Sequence, residues 1–201
     1  LAGTVSQQGT QISANTEAIS LKAEQSEVEG LQEELDGLSF ENRNLIFNSN
    51  FSNNLVDWSV SASGQVEIVN DDRFGNVARV ISTGINGGLL QRTGNDNRVV
   101  DGETYTFQAW VKSDKEMVIG IGIDGSGLEN AHYFQITEDW VYITFTRKSS
   151  GGNNQLRIYS EGPTDGYAFY LANIKLEKGT KATPYSIAPE DIIADIDAVG
   201  S

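Results

Sequence analysis

The chain has 201 residues and no cysteine, with 14 Lys and Arg against 28 Asp and Glu, a net charge of −14. Disulfides, thiol nucleophiles and cysteine-based metal sites are excluded. No basic stripe exists for phosphates and no apolar run approaches a membrane span, so neither nucleic acid nor membrane is an expected partner. The charge is uneven: residues 1–41 carry eight acids against Lys22 alone, residues 186–201 carry four acids and no base, and the middle is nearly balanced. The acidity therefore reads as solvated helical flanks. No signal segment opens the chain, and the first residue is Leu1, which suggests a piece of a longer protein.

Residues 1–41 hold a heptad pattern. Val5, Ile12 and Ile19 recur every seven residues. Val28 and Leu35, with Leu31 and Leu38 between them, form a second seam whose phase does not match the first. Gly9, Gly30 and Gly37 each weaken an isolated helix by about 1 kcal/mol relative to Ala. A helix of this quality needs partners, so Val28, Leu31, Leu35 and Leu38 are predicted to hold a coiled-coil stalk together.

Residues 42–186 change character. Short apolar runs alternate with clusters of Gly, Asn, Asp and Ser. They predict strands at 44–47, 66–69, 78–82, 89–92, 104–113, 117–124, 132–136, 141–147, 155–160 and 168–177. Ten short strands with no helical pattern between them imply an all-β fold, an antiparallel β-sandwich of jelly-roll type. Residues 187–201 return to a helical pattern. Pro189 suits a first turn, acids follow it, and Ile192, Ile193, Ile196 and Val199 make an apolar stripe. This segment is expected to begin a C-terminal helix or linker.

Alternation within strands assigns faces. Tyr105, Phe107, Ala109 and Val111 point to the core, which sends Gln108 and Trp110 outward unless a bulge intervenes. Gly120 and Gly122 lie on the outer face of their strand and keep it flat. Tyr133, Gln135, Arg157 and Tyr159 also face out. Aromatic rings beside amides and a guanidinium suit a sugar, whose C–H face stacks on a ring while its hydroxyls need donors and acceptors. The candidate ligand site is therefore Trp110, Gln108, Tyr133, Gln135, Arg157 and Tyr159. Alternation does not say that these strands share a sheet, and Trp110 covering a sheet under a loop or a subunit neighbour is the competing reading. Trp58 and Trp140 read as structural. The lone His132 makes neither a metal site nor a catalytic triad.

The segments NLIFNSNFSNNLVDWSV, GETYTFQAWVKS, EDWVYITFTRKSS and YLANIKLEKGTKATPYS occur in that order. Together, over residues 45–186, they resemble the jelly-roll carbohydrate-binding modules of xylan- and cellulose-degrading enzymes. They are more similar still to the versions in tail and baseplate receptor-binding proteins of phages that infect Gram-positive bacteria. The leading GTQISANTEAISLKAEQSEVEGL resembles the trimeric coiled coils that link modules in such proteins. The resemblance implies a homotrimer on the virion, other phage tail proteins as neighbours and a host cell-wall polysaccharide as ligand. It requires no cofactor, but it implies a structural calcium in many members; Asn48, Asn50 and Glu177 lie in the matching segments.

Three functions compete at this level: a saccharide-binding module, a structural spacer or trimer clamp, and a glycoside hydrolase. A hydrolase needs two carboxylates at a set separation, one with a raised pKa. The loop acids fall in no apolar stretch that would raise one, so the chain is expected not to be an enzyme.

Overall fold

The structure, a computed structural model, describes residues 11–22, 42–93, 98–123, 131–150 and 155–192. Two compact units divide the chain, residues 1–40 and 41–201. In the first, residues 11–22 form an α-helix, α1, on which Ile12, Ile19 and Leu21 are exposed. The predicted seam residues Val28, Leu31, Leu35 and Leu38 lie outside the described residues. What is described there is one short helix; a coiled coil is not supported by it.

The second unit is an all-β sandwich. Its strands are β1 (Ser59–Val60), β2 (Gly64–Asp71), β3 (Gly75–Ser82), β4 (Gly88–Arg92), β5 (Thr104–Ser113), β6 (Met117–Gly122), β7 (His132–Ile136), β8 (Val141–Lys148), β9 (Gln155–Ser160) and β10 (Ala168–Lys178). They form two five-stranded sheets, β1-β4-β9-β6-β7 and β2-β3-β10-β5-β8. Every pairing is antiparallel. The core lies between the sheets. Ile119, Ile121, Leu156 and Ile158 enter it from the first sheet, and Phe107, Val111, Phe169 and Leu176 from the second. All are fully buried, and burying such a side chain contributes roughly 1.5–3 kcal/mol. Beyond β10 the chain crosses back as an irregular strap and enters a helical turn, α2, at Pro189–Ile192.

Nine of the ten expected strands are present, and the exception is informative. Residues 44–47 are not a strand, because the Asn44 side chain takes the hydrogen bonds that a ladder would have made. Its Nδ2 lies 2.8 Å from Ile174 O, 3.0 Å from Ser186 O and 3.0 Å from Ser49 Oγ. Its Oδ1 accepts from the N–H of Ile46 and of Leu176, at 3.0 and 3.2 Å. Asn44 thereby ties the entering chain, β10 and the strap together, with no solvent exposure. The two-residue β1 went unpredicted because a strand so short carries no alternation to read.

β10 carries a bulge between Ala172 and Lys175, where Asn173 has a left-handed φ of 48°. The extra residue reverses the faces. Phe169 and Leu171 point inward before it, and Ile174 and Leu176 point inward after it. Lys175 and Glu177 are thus sent to the outer side, where the strap buries them at 1% and 0% exposure. Their salt bridge is 3.3 Å long. Thr183 closes the network: its N–H and hydroxyl donate to Glu177, and its Oγ1 accepts from Lys175 Nζ at 2.7 Å.

Asn44→Ala is expected to lower the unfolding free energy by about 3 kcal/mol, since it strands the buried N–H groups of Ile46 and Leu176. Denaturant titration of wild type and variant measures this.

Candidate functional site

The structure divides the six predicted ligand residues between two surfaces. Gln108 and Trp110 belong to β5 in the second sheet, whereas Tyr133 and Gln135 (β7) and Arg157 and Tyr159 (β9) belong to the first. The six therefore do not form one surface. Outward from the core, the two sets point in opposite directions.

On the first sheet, register makes the surface. Gly88 pairs with Tyr159, Tyr159 with Gly120, and Gly120 with Tyr133, so one line across four strands reads Gly–Tyr–Gly–Tyr. Both rings lean over Gly120: a Cβ there would lie 2.8 Å from Tyr159 Cε2 and 3.0 Å from Tyr133 Cε1. Gly88 is closed to side chains from the other direction, since its Cβ would lie 2.0 Å from Ile158 O. The next line holds Leu90, Arg157 and Gly122. Gln155 Oε1 accepts from Arg157 Nε and Nη2 at 3.1 and 3.0 Å, which fixes the guanidinium and leaves it further donors. A groove of about 290 Å³ runs beside these groups, lined by Ser61, Asn86, Gly88, Leu90, Arg157 and Tyr159. Gln135 is exposed at the margin and donates to the Glu116 carboxylate.

Tyr159 carries the sharpest signal. The residue is 4% exposed, and its hydroxyl meets no partner at normal hydrogen-bond geometry, with Tyr133 as the polar neighbour that interacts with it. Burial pushes its pKa well above the usual tyrosine range, and the neighbouring Tyr133 pushes it further. A buried hydroxyl left unpaired costs about 1–3 kcal/mol.

On the second sheet, pairing of β5 with β8 is continuous from Thr104 to Val111, so no bulge interrupts it and Trp110 does leave the interior. It is not bare. The β2–β3 turn folds over it, placing the Arg73 guanidinium 4.0 Å from its ring and Phe74 at 5.5 Å. Trp140 packs edge-on against Phe74 at 4.8 Å and donates from Nε1 to Asp71 at 3.0 Å. Tyr142, opposite Trp110 on β8, completes the cluster at 5.6 Å. Arg73, Phe74 and Tyr142 were not among the sequence candidates. The first two sit in a turn, where alternation is silent. Gln108 is buried and bonded to Glu177, Thr183 O and the Tyr142 hydroxyl. Trp58 is a core residue, its Nε1 donating to Asn48 O at 3.0 Å. His132 stacks on Phe145 at 4.8 Å.

Asn48, Asn50 and Glu177 do not fit a shared calcium. Asn48 Oδ1 accepts from Asn53 N, and its Nδ2 donates to the carbonyls of Asn54 and Val56. Asn50 Oδ1 accepts from Ser52 N. Glu177 is taken by Lys175, Gln108 and Thr183, so a cation there would have to displace an ammonium. Among the described residues no group of three His, Asp or Glu could hold a metal ion.

The fold and the first sheet's face define a class: a two-sheet jelly-roll sandwich presenting tyrosines on a glycine floor. Residues 43–166 match the carbohydrate binding domain family, and the chain belongs to that family. Solved structures with the same fold include the xylan-binding domain of Paenibacillus barcinonensis Xyn10C, at 15% identity and TM-score 0.50, covering 71% of this chain and 99% of that one. The Clostridium thermocellum endo-1,4-beta-D-xylanase 10B, solved with xylohexaose, is 14% identical with TM-score 0.51, covering 68% of this chain and 28% of that one. The bacteriophage CBA120 tailspike protein 4 is 12% identical with TM-score 0.50, covering 68% of this chain and 21% of that one. At these identities the likeness shows the fold. No curated protein matches the chain.

Tyr159→Phe removes the unpaired hydroxyl and nothing else. Its melting temperature should equal or exceed that of wild type, while saccharide affinity falls about fivefold to tenfold, the worth of one hydrogen bond. Paired thermal melts and calorimetric titrations check this; a destabilised variant would mean that the hydroxyl has a partner in the unliganded protein.

Proposed function

We propose that the outer face of the first sheet is the saccharide site, and that the module serves a trimeric phage tail protein that recognises host cell-wall polysaccharide without cleaving it. The observation that carries the site is the unpaired Tyr159 hydroxyl above the Gly120 floor, with Arg157 held beside it. Tyr133 and Tyr159 start two strands apart, but their rings converge over Gly120, so they form one composite patch. Gly120 must remain free of a side chain for either ring to lie where it does. Stacking on the exposed Tyr133 ring contributes on the order of 1 kcal/mol beyond burial, so a single site binds weakly. Three copies on one stalk would raise the overall affinity by about 10²–10⁴ where the glycan repeats can span them.

The virion assignment rests on the sequence: the heptads before residue 41 and the closing LEKGTKATPYS, which forms the end of β10 and the strap. A non-catalytic role agrees with the family. Of the nearby carboxylates, Glu116 is engaged by Gln135, and Glu161 lies within electrostatic reach of Tyr159. The competing reading, a spacer without glycan binding, offers no account of an unpaired buried hydroxyl.

The test is sedimentation of the protein with purified cell walls from Gram-positive hosts. Wild type should co-sediment and release no reducing sugar, and Tyr133→Ala with Tyr159→Ala should remain in solution. Co-sedimentation that survives both changes would move the site elsewhere. Light scattering at tens of micromolar, roughly where weak coils dissociate, should give a trimer; a monomer would remove the stalk from the proposal.

A further inference from the structure

The second sheet carries a groove of its own, of about 480 Å³, on the side of the sandwich opposite the tyrosine row. That is within the few hundred Å³ typical of small-ligand sites. Gln108, Trp110, Tyr142, Asn173, Thr183 and Tyr185 line it. We propose that this groove is a second, independent saccharide site, so that each module binds glycan on both faces of the sandwich.

Three observations carry it. First, the rings are fixed rather than adaptable. Arg73 and Phe74 brace Trp110 from the turn side. The Tyr142 hydroxyl donates to Gln108 Oε1 at 2.5 Å, and the Tyr185 hydroxyl is joined to Ser49 Oγ at 3.0 Å. Tyr142 is nonetheless 42% exposed. Bracing of this kind presents ring area at little entropic cost, which is what stacking on a pyranose needs. Second, Asn173 stands at the groove on the β10 bulge, in the left-handed conformation, φ 48°. Its amide has no hydrogen-bond partner among the described residues. The bulge re-aims this side chain, and the amide offers both a donor and an acceptor to vicinal hydroxyls. Third, the floor is rigid. Beneath the groove Gln108 bonds Glu177 and Thr183, whose network with Lys175 is closed to water. The mixture of ring faces with two amides, of which Gln108 is engaged from below, and the absence of charged lining residues fit a neutral sugar rather than an anion or a basic peptide.

The two sites can be told apart because tryptophan lies beside only one of them among the described residues. The indole Nε1 resonance of Trp110 and the side-chain amide of Asn173 report the second-sheet groove by NMR. The probes are xylohexaose, cellohexaose, chitohexaose and β-1,4-galactotriose, each at about 10 mM, above the millimolar dissociation constants expected of one stacking site. With at least one probe both resonances should shift in wild type, and equally in the Tyr133→Ala, Tyr159→Ala double variant. In Asn173→Gly, which keeps the left-handed backbone, the Trp110 resonance should cease to shift, and affinity there should fall about tenfold. Tyr142→Ala, a change on an edge strand, should do the same. The proposal is overturned if no probe moves either resonance, if the shifts vanish with the Tyr133 and Tyr159 changes, or if Asn173→Gly and Tyr142→Ala leave the Trp110 shift intact. Shifts that follow protein concentration rather than probe concentration would assign the groove to a second copy of this chain and also overturn it. Loss of the first-sheet site leaves this readout untouched, so the failure of one reading is separable from the failure of the other.

Discussion

The register of β6 against its neighbours is the constraint on which the first face depends. Gly120 lies opposite Tyr159 on one side and Tyr133 on the other. A slip of one residue would place Ile119 there, and every side chain of the strand would change sides. Register is held by the core, because Ile119 and Ile121 are fully buried and must face inward. The packing that stabilises the sandwich and the flat floor beneath the tyrosines are therefore consequences of one choice of pairing.

The second sheet solves a different problem. The bulge in β10 turns Lys175 and Glu177 away from the core, where two charges would otherwise sit among aliphatic side chains. They are buried all the same, beneath the strap. A buried ion pair recovers its desolvation cost only where its remaining donors and acceptors are satisfied. Thr183, Gln108 and the Pro184 carbonyl supply those partners. The strap is held in turn by Asn44, by Tyr185 on Ser49, and beyond it by the Arg43–Glu190 bridge. Chain entry and exit are thus joined at the same part of the sandwich, which suits a module flanked by segments on both sides. Asp191, whose carboxylate accepts from Asn48 N, is held above the usual carboxylate range by burial, aided by Asp57 and Glu190 nearby.

Much of the fold could be read directly. The alternation in 104–113, 132–136, 141–147 and 155–160 gave strands close to their observed bounds, and the inward residues of β5, β6 and β9 are the ones that fill the core. Reading failed at 44–47, where a side chain replaced a ladder. It was also silent at β1, too short to alternate. For the candidate site it named Tyr133, Arg157 and Tyr159 as outward residues, but joined them with Gln108 and Trp110 from the other sheet.

By itself the sequence determined most of the elements and, in unbulged strands, the side on which a residue lies, since both follow from local steric periodicity and from the need to bury apolar groups. It could not determine which strands are neighbours. Sheet order is a contest among pairings distant in the chain, decided by how two inner faces fill one core. Only the tertiary structure therefore set Tyr133 and Tyr159 over the same glycine, roofed Trp110 with a turn some forty residues earlier in the chain, and left one tyrosine hydroxyl buried with no partner at normal hydrogen-bond geometry.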